Sequence, residues 1–424
     1  MKESLFPEYV QKWFNPLVKK VKETINGTKE QPKYMFKSML KEVFSTDLKW
    51  GSLSSNGSIV AADIVTMNSS LPLKRRDSMG KATGDIPKAG MKLGLNEKQL
   101  SDIDILKNKG DKEAEVVAKI FSDVPKVVGG VEETIEYMFL TGLSNGSVIV
   151  PSDKAGVGIR ADFGHPESQK FGVQIKYETG SDPKALDDIQ NVLTKAKEYG
   201  VNLNYMLLDG ATLNIIRQSS QVKSLFAASL RLPDVNNAAV PLKEQFKQLM
   251  LSEYNLNIIE IDRTTIFEKN GKKTSVRPWA EGSVAFLSTL DAGELQYGEL
   301  AEENHPVTGV AYQKATSYTL VSKYAKNDPL EEFTTSQALV IPVIDVDNLW
   351  LMDTNEAQAL AAGEIEGDAN ITIWDTALIK ADVVVALNDM GIRTASNISD
   401  AKLIEKVNTL SDEQEAELKE LLGV

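Results

Sequence analysis

Arg277-Pro278-Trp279-Ala280-Glu281-Gly282, followed by the apolar run 284–287, opens the stretch that decides the fold. It continues through Tyr297-Gly298-Glu299-Leu300 and the alternating run 318–324. It closes with Asp328-Pro329, Ala338-Leu339-Val340-Ile341-Pro342 and Asn348-Leu349-Trp350-Leu351. Short apolar runs rich in β-branched and aromatic residues, bounded by Gly, Pro and Asp, read as strands joined by turns. Residues 277–353 therefore describe a packed strand group with no cluster of reactive side chains. Pro278, Trp279 and Tyr297 are core and turn residues in this reading.

Upstream, 144–178 reads as three strands at 147–150, 158–163 and 172–177. Ser181-Asp182-Pro183 opens a helix with Leu186, Ile189, Leu193 and Ala196 on one face, ended by Gly200. A strand at 205–208 follows, then a helix over 211–225, although 213–216 alone suits a strand. Leu242, Phe246, Leu249 and Met250 mark a further helix. A strand at 257–261 leads to Asn270-Gly271, a strong hairpin signal. Helices mix with strands without a strict parallel βαβ rhythm, so the fold class is α+β.

Residues 96–143 carry helical periodicity. Asn96 caps, with Gln99 three residues on, before Leu100, Ile103 and Leu106. Val116, Val117, Ile120, Phe121 and Val124 keep an apolar face. Pro125 and Gly129-Gly130 break or bend it, and Val131, Ile135, Met138 and Phe139 resume it. The pattern predicts one long interrupted helix of about 30 residues ending at Gly142.

Residues 51–95 differ from everything around them. Ser, Gly, Asn, Pro and Lys punctuate short apolar pieces, and Lys74-Arg75-Arg76 sits between Pro72 and Gly80. So long a stretch with so few apolar residues is uncommon unless functional, and it reads as a protruding hairpin or extended loop. Residues 1–50 mix Lys with Phe6, Tyr9, Trp13, Phe14, Tyr34, Phe36 and Phe44. Leu5, Tyr9 and Trp13 are spaced by four, as on one helical face. Both an arm anchored on a neighbour and a helix packed on its own domain fit this composition. At the other end, 357–368 is small and then acidic, like a linker. Beyond it Leu378, Val384, Val385 and Leu387, then Leu403, Ile404 and Val407, then the capping box Ser411-Asp412-Glu413-Gln414, suggest three short helices.

Composition narrows the function. With 424 residues, 42% of them hydrophobic, the chain can bury a sizeable core. It has no cysteine, which excludes disulfides, thiolate nucleophiles and Cys-ligated metals, and only two histidines, His165 and His305, both read as solvated turn residues. No Gly-rich phosphate loop, His-Glu-x-x-His or Gly-x-Ser-x-Gly occurs. Asp102-Ile103-Asp104 and Asp345-Val346-Asp347 read as surface acids. No apolar run reaches the roughly 18 residues of a membrane span. The N-terminus lacks the apolar core of a signal peptide, so a soluble cytosolic chain without cofactor, metal or catalytic residues is expected. Residues 1–50 hold ten Lys against six acidic residues, whereas 351–424 hold five basic against fifteen acidic residues. The two ends are therefore expected to face different surroundings, and phosphate repulsion makes the tail a poor nucleic-acid binder.

The motifs from Arg277 to Gly282, Tyr297-Gly298-Glu299-Leu300, Asp328-Pro329 and the run from Gln337 to Pro342 resemble the C-terminal part of major capsid proteins of lambda-like tailed phages. The order of elements extends the resemblance to 1–354, where it is similar to the Hong Kong phage ninety-seven type of shell fold. The resemblance implies an N-terminal arm at 1–53, an extended loop at 54–95 and a peripheral domain with a long spine helix at 96–180. An axial domain at 181–276 and strands completing the core at 277–354 follow. A linker at 355–375 and a small helical module at 376–424 depart from the simplest members. Pro278, Trp279, Gly282, Tyr297, Gly298, Asp328, Pro329 and Pro342 are the family-resembling structural positions. The function implied is self-assembly into hexamers and pentamers of an icosahedral head around double-stranded DNA, within a virion assembled in the host cytoplasm. The arm and loop would lie on a neighbouring subunit, with Lys74, Arg75, Arg76, Lys81 and Lys88 as inter-subunit contacts. Portal, scaffold and decoration proteins would be further partners, and no membrane is implied. A tail or decoration component, and a hydrolase acting through scattered carboxylates, are the rival readings.

Overall fold

The computed structural model describes residues 3–26, 33–55, 79–109, 113–151, 158–178, 180–230, 239–358, 370–373 and 376–379, with isolated positions between 383 and 418. The chain divides into two compact units, Met1–Ala359 and Leu360–Val424.

In the first unit, α1 (Pro7–Tyr9) runs through a π-helical turn at Val10–Phe14 into α2 (Asn15–Thr24). Phe6, Val10, Phe14, Val18 and Val21 are buried together with residues of the helices that follow. The expected face is thus displaced by one residue: Leu5 is exposed, and Tyr9 and Trp13 lie half-buried at the rim. Trp13 stays there because its Nε1–H donates to Glu113 Oε1 at 3.0 Å. Within this chain the arm packs on its own unit. A short helix α3 (Phe36–Met39) then leads into β1 (Leu40–Phe44).

The strands β2 (Lys49–Ser55) and β3 (Met79–Asp85) form an antiparallel pair, in register from Lys49 opposite Asp85 to Ser55 opposite Met79. This is the base of the predicted loop. The last part of that loop is not an excursion: β4 (Lys88–Leu95) pairs with the main sheet of its own chain.

The predicted long helix is three: α4 (Glu97–Lys109), α5 (Glu113–Ile120) and the spine helix α6 (Val124–Asn145). Asn96 and Gln99 cap α4 reciprocally, each backbone N–H donating to the other's side-chain oxygen at 3.0 Å. Pro125 does not break α6 but starts it, because the first turn needs no N–H from that residue. Gly129 and Gly130 lie inside an uninterrupted helix. A Cβ at Gly130 would stand 2.5 Å from Met91 Sδ, so its absence lets β4 approach. The helix runs three residues past Gly142 and ends on Gly146, whose φ of +68° suits a left-handed cap.

A hairpin of β5 (Ser147–Val150) and β6 (Ile159–Asp162) precedes β7 (Lys170–Val173). A helical lobe follows: α7 (Ala185–Glu198), β8 (Tyr205–Leu208), α8 (Gly210–Gln218), α9 (Ser220–Ser229), α10 (Lys243–Tyr254) and β9 (Asn257–Glu260). The single helix expected over 211–225 is divided because Ser219 leaves the helical conformation and its Oγ caps Val222 N–H. Then β10 (Thr265–Lys269) and β11 (Lys272–Val276) pair across Asn270 and Gly271, both at positive φ.

The strand group read at 277–353 comprises β12 (Ser283–Leu287), β13 (Gly293–Gly298), β14 (Ala311–Lys314), β15 (Leu320–Asn327), β16 (Leu330–Ile344) and β17 (Leu349–Ala357). A short helix α11 (Ala301–Asn304) interrupts it. These strands do not form one sheet. One sheet has the order β1-β13-β16-β15-β14 with β4 also on β16; the other has the order β7-β17-β12-β8-β9.

Strand alternation gives the second sheet two apolar faces. Leu207, Ala285, Leu287, Leu349 and Leu351 join the core containing Ile135, Phe139 and Leu143 of α6. Met206, Leu208, Val284, Phe286, Trp350 and Met352 join the core with Ile189, Ile216, Phe246 and Met250 of the lobe helices. The terminal strands are thus the shared wall between spine helix and lobe, and the class is α+β.

In the second unit β18 (Asn370–Ile373) pairs with β19 (Thr376–Ile379). The hairpin replaces part of the expected linker and the start of the expected helix at Leu378, since β-branched Ile371, Thr372, Ile373, Thr376 and Ile379 favour strand. Buried Val383 with Leu387, and Leu403 with Val407, keep the helical spacing expected of the module.

Candidate functional site

The polar features most worth attention lie along α6. Glu132, Glu133 and Glu136 interrupt an apolar helix, with Glu132 and Glu136 fully buried. Glu136 accepts from the backbone N–H of Met35 at 3.0 Å and of Phe36 at 3.1 Å, capping α3. Glu132 lies 2.9 Å from Lys37 Nζ and accepts from Tyr318 Oη at 3.2 Å. Glu133 receives Arg263 Nη2 at 2.8 Å, Lys33 Nζ at 3.1 Å and Tyr34 Oη at 3.2 Å. Burial pushes the Glu132 and Glu136 carboxyls above the usual range, against the attraction of Lys37 and the two amides respectively. Burial acts the same way on Glu133, but Arg263 and Lys33 together outweigh it and hold that carboxyl low. Burial also drives the Tyr34 and Tyr318 hydroxyls well above the ordinary tyrosine range.

A second charged group ties down the start of the arm. Lys323 and Glu332 have no solvent exposure and stand 3.6 Å apart. Lys323 Nζ also donates to Ile120 O at 3.2 Å and Thr334 Oγ1 at 3.1 Å, while desolvation holds its pKa below the usual lysine value. Glu332 accepts from Ser4 Oγ and, at 2.9 Å, from Leu5 N–H. Sequence reasoning missed both networks. The available signal was charge on a buried face: Glu132, Glu133 and Glu136 among Val131, Ile135 and Met138, and Lys323 inside an alternating strand.

The sequence-predicted positions scatter across the unit. Lys74, Arg75 and Arg76 lie outside the described residues. Lys81 is opposite Leu53 in the β2–β3 pair. Lys88 begins β4, and its Nζ stands 3.4 Å from Glu302 of the same chain. Pro278 is buried and its carbonyl accepts from Thr141 Oγ1 at 3.2 Å. Trp279 is buried, donating from Nε1 to Ser283 O at 2.9 Å. Gly282 has φ +78°, and a Cβ there would meet the side chains of Thr354 and Asn355 at 2.7 and 2.3 Å. The Tyr297 ring packs between Phe44 and Tyr318 at 5.6 and 6.1 Å. Gly298 ends β13 opposite Leu339. Asp328-Pro329 forms the turn between β15 and β16, with a cis peptide bond. Pro342 stands opposite Leu295, beyond the ends of β4 and β15, where β16 carries β13 alone. A residue without an N–H fits there.

One expectation fails outright. His165 is not solvated: it is buried, with Nε2 2.8 Å from Leu349 O, and desolvation lowers its pKa. The tight Gly146 cap stacks against it. His305 is exposed at the end of α11, and Asp102, Asp104 and Asp345 are exposed. A cleft of about 550 Å³ at the carboxyl ends of β8 and β9 is lined by Asp209, Lys243, Glu260, Asp262, Arg263 and Arg277, among others. Lys243 and Glu260 are paired within it. Among the described residues there is no group of three or more His, Asp or Glu placed to hold a metal, and no helix long and apolar enough to cross a membrane.

No protein-family model and no curated protein matches the chain. Solved structures do resemble it. A protein described as a prophage capsid protein of E. coli CFT073 is 13% identical, with 66% of this chain and 79% of that chain covered and a TM-score of 0.44. A phage-related protein from Bordetella bronchiseptica RB50 is 10% identical over 81% and 98% of the two chains, with a TM-score of 0.43. The cyanophage A-1(L) capsid subunit is 10% identical over 76% and 92%, also with a TM-score of 0.43. At such identities no residue role is carried across.

Proposed function

We propose that this chain is the major shell protein of a tailed-phage head, assembling with copies of itself into hexamers and pentamers that close around double-stranded DNA. The observation that carries the reading is the β2–β3 pair. Seven residue pairs run in register, with Trp50 at one end buried on the unit, and twenty-three further residues, 56–78, separate Ser55 from Met79 at the other. So long an insertion with so few apolar residues between two paired strands supports a role in contact with a neighbouring subunit. The order of arm, hairpin, spine helix, lobe and terminal strand wall supports the same reading, as do the capsid-type motifs between Arg277 and Pro342.

In this reading Lys74, Arg75, Arg76 and Lys81 meet acidic groups of the next subunit, with Lys88 at the hairpin's root. Weak contacts suffice because each is repeated around the shell. Portal and scaffold proteins, and decoration proteins, are the further partners. The protein would reside in the virion after assembly in the host cytoplasm. The acidic segment 360–424 would sit outside, away from packaged phosphate.

The test is to replace 56–78 by an Asn-Gly turn joining Ser55 to Met79. The expected variant keeps the wild-type unfolding midpoint and forms no closed shells. Normal shells from it would refute the role given to the hairpin.

A further inference from the structure

Three carboxylates stand on α6 within five residues, and the three cations that face them come from two other parts of the chain. Lys33 and Lys37 belong to the segment around α3, whereas Arg263 belongs to the connection from β9 to β10. Arg263 is held by more than charge. Its Nη1 donates to Lys33 O, stands 3.9 Å from Glu136 Oε1, and its guanidinium lies 5.0 Å from the Tyr34 ring centre. Neither the arm segment nor the β9–β10 connection neutralises the glutamate row alone.

We propose that this row is a coupling device, through which Arg263 of the β9–β10 connection sets how firmly the segment 33–39 is held on α6. The link runs through Glu136. Arg263 touches neither the Met35 nor the Phe36 amide, yet both donate to Glu136. An ionised carboxylate is the stronger acceptor for such bonds. Glu136 is buried, so it keeps its charge only while opposite charge is near. Take Arg263 away, and the row loses the cation nearest Glu136, together with the bridge to Lys33 O. The reverse also holds, because coupling between two sites is reciprocal. Whatever displaces the β9–β10 connection is therefore felt where the arm meets α6, and whatever pulls the arm is felt at that connection. The coupling is a property of one subunit and stands apart from the shell reading.

Hydrogen-exchange mass spectrometry on the full chain tests it. In Arg263→Gln, amides across 33–37 are expected to exchange about tenfold faster or more. In Arg263→Lys, which keeps the charge but loses the planar fork, the acceleration is smaller. Combining Arg263→Gln with Lys37→Met should give less than the product of the two single effects. Acceleration confined to 261–265, with 33–37 unchanged, would overturn the proposal. Should Arg263→Gln not fold, Arg263→Lys decides alone: wild-type exchange at 33–37 in that variant overturns it equally.

Discussion

The backbone N–H of Leu5 lies 2.9 Å from one carboxylate oxygen of Glu332, while the other oxygen stands 3.6 Å from the equally buried Lys323. A residue at the start of the chain thus completes an ion pair in the main sheet. Removing one partner of such a pair strands the other. Lys323→Met is expected to cost about 3–5 kcal/mol in urea unfolding, whereas Lys323→Met with Glu332→Leu should recover most of it. The double variant also removes the acceptor for Ser4 and Leu5. Exchange in the first ten residues should therefore rise although stability is restored. A double variant as unstable as the single would contradict this account.

Two glycines separate conformational need from helix propensity. Gly282 has φ +78° and no room for a Cβ beside Thr354 and Asn355. Gly282→Ala should destabilise by roughly 1–2 kcal/mol or more. Gly129 lies in α6, and a Cβ added there would meet no other atom within 4 Å. Gly129→Ala should stabilise by about 0.5–1 kcal/mol through backbone entropy. Thermal midpoints shifting in the same direction would show that the two backbone assignments are wrong.

His165 makes part of the stability depend on pH. Desolvation lowers its pKa in the folded chain, so folding favours the neutral ring. Such a group contributes stability above its unfolded pKa of about 6.5, which is lost as pH falls through the lower folded value. The raised Glu132 and Glu136 carboxyls act oppositely: their charged forms are penalised, so their contribution is lost as pH rises through the folded values. The comparison must therefore be a difference. Between pH 7 and pH 5, wild type should lose more stability than His165→Gln, and parallel curves would remove His165 as the cause.

Much of the architecture is legible in the sequence because it rests on local chemistry. The reciprocal cap of Asn96 and Gln99, the Asn270-Gly271 turn and the strand group each follow from a few neighbouring residues. Pro125 is ambiguous because the same residue breaks a helix interior and starts a first turn, and only the turn at 121–123 that separates α5 from α6 decides between them. That the strands of 277–353 divide between two sheets is not legible, since pairing of β12 with β8 and of β13 with β1 joins residues more than seventy positions apart. The glutamate row is hidden for the same reason. Its partners Lys33, Lys37 and Arg263 come from distant segments, and without them the charges look like a solvated stripe. His165 looks like a turn residue, and the turn is real; its burial comes from Leu349, far along the chain.

The central claim is that copies of this chain build a closed shell. Negative-stain electron microscopy of the chain expressed alone tests it most directly. The account predicts closed particles, or rings with sixfold and fivefold symmetry; a persistent monomer at every concentration would contradict it.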